Sequence, residues 1–329
     1  MPYTMITDAI MFSPTYIRGI AFLVSTALFG TAAEAQSNAI FNGGSGDGHA
    51  SLEFAQPSFI VGIYNGGVGD GWSSSTEASN VPVGLDVYLF LEGPFDPGTL
   101  LMRDDLRAAG LVPLTEPYTA LGYPQVAGGG GETTNAALLA ISGSDAVVDW
   151  VRVELRDAAD PTILRATRQA LVRRDGTVVN FGGGQPLSFG VTIGGAFHVV
   201  VRHRNHLGAM TASPIAFSGV VPTLSFLNSF TATYGTNARK VIGTDYLLWA
   251  GDVNGDHQLR YTGSGNDRDP ILVAVGSTTP NNTLSGQYRS EDLNLDGFVK
   301  YTGAGNDRDP ILVNIGSTTP NNVRVEQVP

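Results

Sequence analysis

The chain has 329 residues, 42% of them hydrophobic, which is enough for two or three domains around a real apolar core. Its formal net charge is -11 and its only lysines are Lys240 and Lys300, so it lacks the positive field that nucleic acid demands of a partner. There is no cysteine, which excludes disulfides and a thiol nucleophile, and the 42 glycines among short stretches of Val, Ile, Phe and Tyr suit strands and turns, so the fold class expected is mostly β.

Residues 1–35 read as an export signal. Arg18 precedes the apolar run GIAFLVSTALFG (19–30), and Ala33-Glu34-Ala35 has the small-x-small form of a cleavage site, giving a mature start near Gln36; Met11 is an alternative initiator. The run is shorter than the ~20 residues a spanning helix needs, so no membrane span is expected after signal removal, and the location is secreted, extracellular or cell surface. Residues 36–80 carry two related pieces, FNGGSGDGHAS (41–51) and YNGGVGDGWSS (64–74). Each has a Gly-Asp-Gly corner and reads as a glycine-rich strand, turn, strand unit.

Residues 81–220 contain strand-like LDVYLFLEG, VDWVRVELR, GTVVNF, LSFGVTI and AFHVVVRHR, with no βαβ rhythm, and predict an antiparallel β-sandwich. In the second of these, Val151, Val153 and Leu155 alternate with Arg152, Glu154 and Arg156, which predicts one buried and one wet face. TLLMRDDLRAAG (99–110) reads as a helix with a glycine stop, and PTILRATRQALVRR (161–174) as either a helix or one arm of a hairpin turning at Asp175-Gly176. GGGGETT (128–134) lacks the lysine of a phosphate loop and reads as a flexible loop. His203 and His206 could share a metal, but no cysteine or nearby carboxylate completes a set; the better reading is a polar strand end in which Arg202, Arg204 and His206 meet acidic groups or a partner chain. Residues 221–250 read as a linker and a lead-in strand.

Residues 251–329 are a tandem repeat with a C-terminal strand: the segment beginning at Asp252 is answered 40 residues later by the one beginning at Asp292. Counting Asp252 as position 1, Asn254, Asp256 and Gln258 occupy positions 3, 5 and 7 of a loop that wraps a hard cation, the last through its main-chain oxygen. The second copy holds Asp292, Asn294, Asp296 and Phe298 there, and two Ca²⁺ ions are expected. Position 6 is Gly297 in one copy but His257 in the other, which predicts a strained or weaker first site. The closing acid is missing at Gly263 and Gly303, and a longer loop brings Asp267 and Asp269, or Asp307 and Asp309, to its far end. Asp269 and Asp309 each precede proline and read as helix N-caps, which leaves Asp267 and Asp307 as the better closing ligands. Oxygen-bearing groups converging in this way without a cation would repel one another.

These loops resemble the duplicated calcium repeats of dockerin modules, which are EF-hand-like, and the resemblance implies a small C-terminal calcium-binding domain with short helices. Dockerins also dock a cohesin partner; the insertion before each helix and the Tyr261-Thr262 and Tyr301-Thr302 pairs depart from that pattern. The middle block is similar to a β-rich segment of large exported bacterial surface proteins. No catalytic constellation stands out, so the expectation is a non-catalytic, calcium-stabilised extracellular structural protein, the protomer of a self-assembling fibre or surface layer. Self-association into a homo-oligomer or filament would proceed by strand addition, using the N-terminal strands and VRVEQV (323–328). An adhesin or carbohydrate-binding module with cell-surface glycans as partners, and a dockerin-type subunit of an enzyme complex, are the alternatives.

Overall fold

Between residues 83 and 225 the strand-forming stretches build a nine-stranded sheet in this computed structural model, which describes residues 83–191 and 194–329. The expected export signal and the glycine-rich 36–80 repeats lie outside the described residues. Across the sheet run His206–Met210, Ala196–His203, Val147–Asp157, Leu164–Arg173, Thr177–Val179, Val83–Tyr88 and Thr223–Ser225. Ile215–Ala216 adds to Ala196–His203, and Leu187–Phe189 adds to Val83–Tyr88. Every pairing is antiparallel except that of Thr223–Ser225 with Val83–Tyr88. Among the described residues the chain is mostly β, and no helix is long and apolar enough to cross a membrane.

The 161–174 segment is a hairpin arm. Leu164–Arg173 pairs with Val147–Asp157 from Val147↔Arg173 to Arg156↔Leu164 and turns at Asp175-Gly176. Its residues are good helix formers, but Ala166, Ala170, Val172, Thr167 and Leu171 are fully buried, so the packing available on both sides of the sheet overrides local preference. The expected helix at 99–110 shrinks to Asp105–Ala108, preceded by a Leu101–Met102 strand, and ends at Gly110, whose φ of +68° lets Leu111 donate back to the Leu106 carbonyl.

The alternation in Val147–Asp157 does not give a wet face. Val151, Val153 and Leu155 enter the main core with Trp150, Phe189 and Leu85, yet Arg152 and Glu154 are buried as well. Arg152 donates to Glu154 at 2.7 Å, to Gln125 and to the Pro124 carbonyl, and stands over the Tyr123 ring; Glu154 also meets Arg156 and Arg202. The charges are covered by residues 115–134 and satisfy one another, as buried charge must. GGGGETT is part of this cover: a Cβ on Gly129 would lie 2.3 Å from the Thr167 carbonyl oxygen, and Gly131 N donates to Glu116, so the loop is packed down.

Residues 221–250, expected to be a linker and lead-in strand, are woven into the fold. Besides Thr223–Ser225, Lys240–Ile242 and Asp245–Leu248 form a hairpin, and the latter runs parallel to Phe90–Leu91. The described residues, 83–191 and 194–329, belong to one compact unit.

Candidate metal centre

The two repeats fold alike. Each loop leads into a short strand, Gln258–Arg260 or Phe298–Lys300, and then into a helix, Arg268–Ala274 or Arg308–Ile315. Val253, Ile271 and Val275 of one repeat pack with Leu293, Val299 and Ile311 of the other. The strand following each repeat pairs with the loop strand of its sister: Thr283–Ser285 with Phe298–Lys300, and Val323–Val325 with Gln258–Arg260. The Tyr-Thr pairs explain themselves here. Thr262 Oγ1 donates to the Pro320 carbonyl at 3.0 Å and Thr302 Oγ1 to the Pro280 carbonyl at 3.1 Å, so each repeat ties down the turn that ends the other.

Within the first loop, Asp252 is 3% exposed and Asp267 is fully buried. Asp267 Oδ1 accepts from Val253 N at 2.9 Å and its Oδ2 from Arg260 N at 2.8 Å, so it reaches back across the loop and closes it. Asp307 repeats this on Leu293 N and Lys300 N, both at 2.8 Å. Asn254 and Asn294 offer Oδ1 to the amides of Asp256 and Asp296, and those aspartates offer Oδ1 to Gln258 N and Phe298 N, the first residues of the loop strands. Asp252 Oδ2 accepts from His257 N at 3.2 Å, while its Oδ1 is buried with no hydrogen-bond partner among the described residues; in the second loop Asp292 Oδ1 and Oδ2 take Asp296 N and Gly297 N.

Asp269 and Asp309 stand apart from this ring. Each offers Oδ2 to the side-chain amide of Asn266 or Asn306 at 2.8 Å and Oδ1 to the neighbouring Arg268 or Arg308. Nor are they the N-caps that Asp-Pro suggests. The helix begins earlier, proline falls third in it, and Asn266 and Asn306 accept the Asp269 and Asp309 amides at 2.9 Å. Proline remains compatible because the first-turn amides have no partner within the helix.

The electrostatics match the geometry. Burial, reinforced by Asp267, Glu326 and Asp256, pushes the Asp252 carboxyl up to about 8. Burial raises Asp267 to about 7 against its three amide donors, Asp292 to about 7, and Asp307 to about 8. Each loop therefore holds two buried carboxyls near neutrality, and in the first of them Asp252 Oδ1 is an orphan oxygen. Among the described residues no three acidic or histidine side chains converge as a metal cluster by themselves. A calcium loop does not require that, since asparagine and main-chain oxygens complete its shell.

Strain is shared between the copies. His257 has φ +64°, as expected for a residue standing where glycine is favoured, but Leu295, at position 4 of the second loop, has φ +56° where the first loop has Gly255 at +73°. Leu295 accepts the conformation because its side chain is buried in the main core. The second loop is seated there in other ways: Arg103 donates to the Asn294 carbonyl at 2.8 Å, Asn205 to those of Ser290 and Asp292, and a Cβ on Gly93 would lie 1.9 Å from the Leu293 oxygen. The first loop is fastened through Glu326, which pairs with Arg202, accepts from Gly208 N at 2.6 Å and donates its own amide to the His257 carbonyl.

Sequence reading missed Asp149, 54 residues from His203. His203 Nε2 lies 3.1 Å from Asp149 Oδ2, its Nδ1 lies 2.9 Å from His206 Nδ1, and Gly93 N donates to His206 Nε2. Burial lowers both histidines, so they are neutral links in a hydrogen-bond chain. Burial opposes ionisation of Asp149, but Arg204, His203 and Tyr288 outweigh it and hold the carboxyl down at about 2. This is the strand end at which basic groups meet acidic ones, and through Asn205 it touches the second loop.

No family model, curated protein or solved structure matches the chain.

Proposed function

We propose that the chain is a non-catalytic, calcium-stabilised extracellular structural protein whose antiparallel β-sandwich carries a dockerin-like pair of calcium loops, and that it associates with copies of itself into a fibre or surface layer. The observation that carries the reading is the pair of loops, each with two buried aspartates, Asp252 and Asp267 or Asp292 and Asp307, beside Asn254 and Asp256 or Asn294 and Asp296, and with an unpartnered oxygen on Asp252; the Gln258 and Phe298 main-chain oxygens would complete each shell. Asp269 and Asp309 are left to the helix starts. The setting is supported by the signal-like N-terminus and the absence of cysteine. Ions bound to buried, otherwise unfavourable carboxylates tie folding to calcium, which suits a protein that assembles outside the cell. Docking to a cohesin is disfavoured, because the Tyr-Thr pairs and the strands after each repeat are spent on one another.

Titration calorimetry of the mature chain should show two calcium ions bound, and electron microscopy in calcium should show polymers that chelator disperses. Absence of heat on calcium addition, with melting indifferent to chelator, would end the reading.

A further inference from the structure

One of the chain's two lysines stands in an arrangement that the calcium reading does not use. Lys240 Nζ donates to Glu92 Oε1 at 2.5 Å and to Asn314 Oδ1 at 2.7 Å. Asn314 Nδ2 donates to Glu92 Oε2 at 2.7 Å and to the Ala250 carbonyl at 2.8 Å, and Glu92 also accepts the Ala250 amide at 2.9 Å. The three side chains come from separate elements: Glu92 directly follows the Phe90–Leu91 strand, Lys240 opens Lys240–Ile242, and Asn314 lies in Arg308–Ile315. Asn314 is 1% exposed, and the side chains of Lys240 and Glu92 are 19% and 11% exposed. The Trp249 ring centre lies 5.5 Å from Nζ, and the Arg324 guanidinium lies 3.6 Å from the same ring.

The geometry points to an intramolecular amide cross-link between Lys240 and Asn314, with Glu92 as the catalytic acid and base. An amine nucleophile, a carboxamide electrophile and a carboxylate touching both are the parts that transamidation needs. Glu92 takes a proton from the Lys240 ammonium along their hydrogen bond, and the free amine attacks Asn314 Cγ. The tetrahedral intermediate collapses by breaking the Cγ–Nδ2 bond, with Glu92 Oε2 protonating the departing nitrogen that it already contacts. Of the three ammonium protons, one stays on the new amide and two leave with Nδ2, so the products are a secondary amide and one ammonium ion, and the carboxylate is regenerated. No oxidant or cofactor enters. Groups held in contact react at effective concentrations on the order of 10⁵ M or more, which lets an otherwise inert carboxamide be attacked.

An ion pair alone would not need the asparagine, and the repeat supplies an internal control. Residues 266–282 and 306–322 are identical except at two places, Ala274 against Asn314 and Val275 against Ile315. The helix, loop and interlocking turn therefore form without the carboxamide, which occurs in the copy that Lys240 and Glu92 reach. The bond would close a ring across 74 positions of sequence and brace the calcium repeats to the Lys240–Ile242 hairpin. It would do for a cysteine-free exported chain what disulfides do elsewhere.

The test is intact-mass spectrometry of the full mature chain, followed by protease digestion and fragmentation. The wild type should be lighter than its sequence by one ammonia and yield a branched peptide joining Lys240 to Asn314, whereas Glu92→Gln and Asn314→Ala should have the unmodified mass. Asn314→Ala keeps the residue that the first repeat tolerates, so it reports on a folded chain, and its melting temperature should fall below that of the wild type. A wild-type chain at full linear mass that digests to linear peptides only would overturn the assignment. The readout depends on neither calcium nor assembly, so its failure leaves the proposed function standing, and the reverse also holds.

Discussion

At the scale of single residues, the loop carboxyls set a pH dependence whose sign follows from their burial. A free aspartate titrates near 4, whereas Asp252, Asp267, Asp292 and Asp307 are held at about 7 to 8, so between those limits the folded apo chain binds more protons than the unfolded one. The lowered His203, His206 and His257 act in the opposite sense below about 6.5, so apo stability should fall most steeply between about pH 6.5 and 8 in chelator, and that fall should disappear in saturating calcium, which takes the ionised form; thermal melts at paired pH values across that window check this, and no fall there would contradict the burial of the carboxyls. Backbone strain makes a second prediction. His257→Gly, at φ +64° with a 44% exposed side chain, should stabilise the apo chain by about 1 kcal/mol, while Leu295→Gly relieves the same strain but should cost a net ~2 kcal/mol or more because the leucine is fully buried. Denaturant titration separates the two signs. The strain at His257 was legible, since a loop position that favours glycine lacked one; that at Leu295 was not, because its compensation is a place in a core built by residues far away in the chain.

At the scale of elements, Val323–Val325 pairs within the chain with Gln258–Arg260. Glu326 beyond it is 7% exposed and joins the strand to Arg202 and Gly208, so removing residues 323–329 should leave the Arg202 charge partly unpaired and loosen the first loop. Calorimetry of that truncation should show the first calcium site weakened at least ~10-fold, the loss of about 1.4 kcal/mol, with the second site little changed. Equal loss at both sites would mean that the strand serves the repeat as a whole. The two loops and their period could be read from residue order, since each loop is local in sequence. The reciprocal strand exchange between repeats could not, because Thr262 finds its acceptor 58 residues on. Alternation along Val147–Asp157 misled for a related reason. Arg152 and Glu154 look like solvent-facing residues until the partners that satisfy them, Gln125, Arg202 and the Pro124 carbonyl, are folded against them.

At the scale of the molecule, the question is whether the proposed calcium ions would govern a hinged module or the whole unit. The sequence suggests a linker at 221–250 and a separate terminal domain, but those residues supply strands, Leu295 is part of the main core, and Arg103 and Asn205 hold the second loop by its carbonyls. These contacts join the terminal repeats to the sheet, so the described span should unfold as one cooperative unit. A ligand at about 100 times its dissociation constant stabilises the folded state by about 2.7 kcal/mol per site, and the two sites together should raise the melting temperature by roughly 10 °C in a chain of this size. Scanning calorimetry with chelator should therefore show the entire transition moving down as a single peak. A small early peak that moves with calcium beside a large one that does not would mean that the terminal repeats are an independent module. It would also mean that the leucine, the arginine and the asparagine do not transmit the ion's effect to the sheet. The cross-link bears on the same curve: Asn314→Ala should lower both the apo and the calcium-bound transitions by similar amounts, since a covalent brace acts through the unfolded chain whether or not the loops are filled.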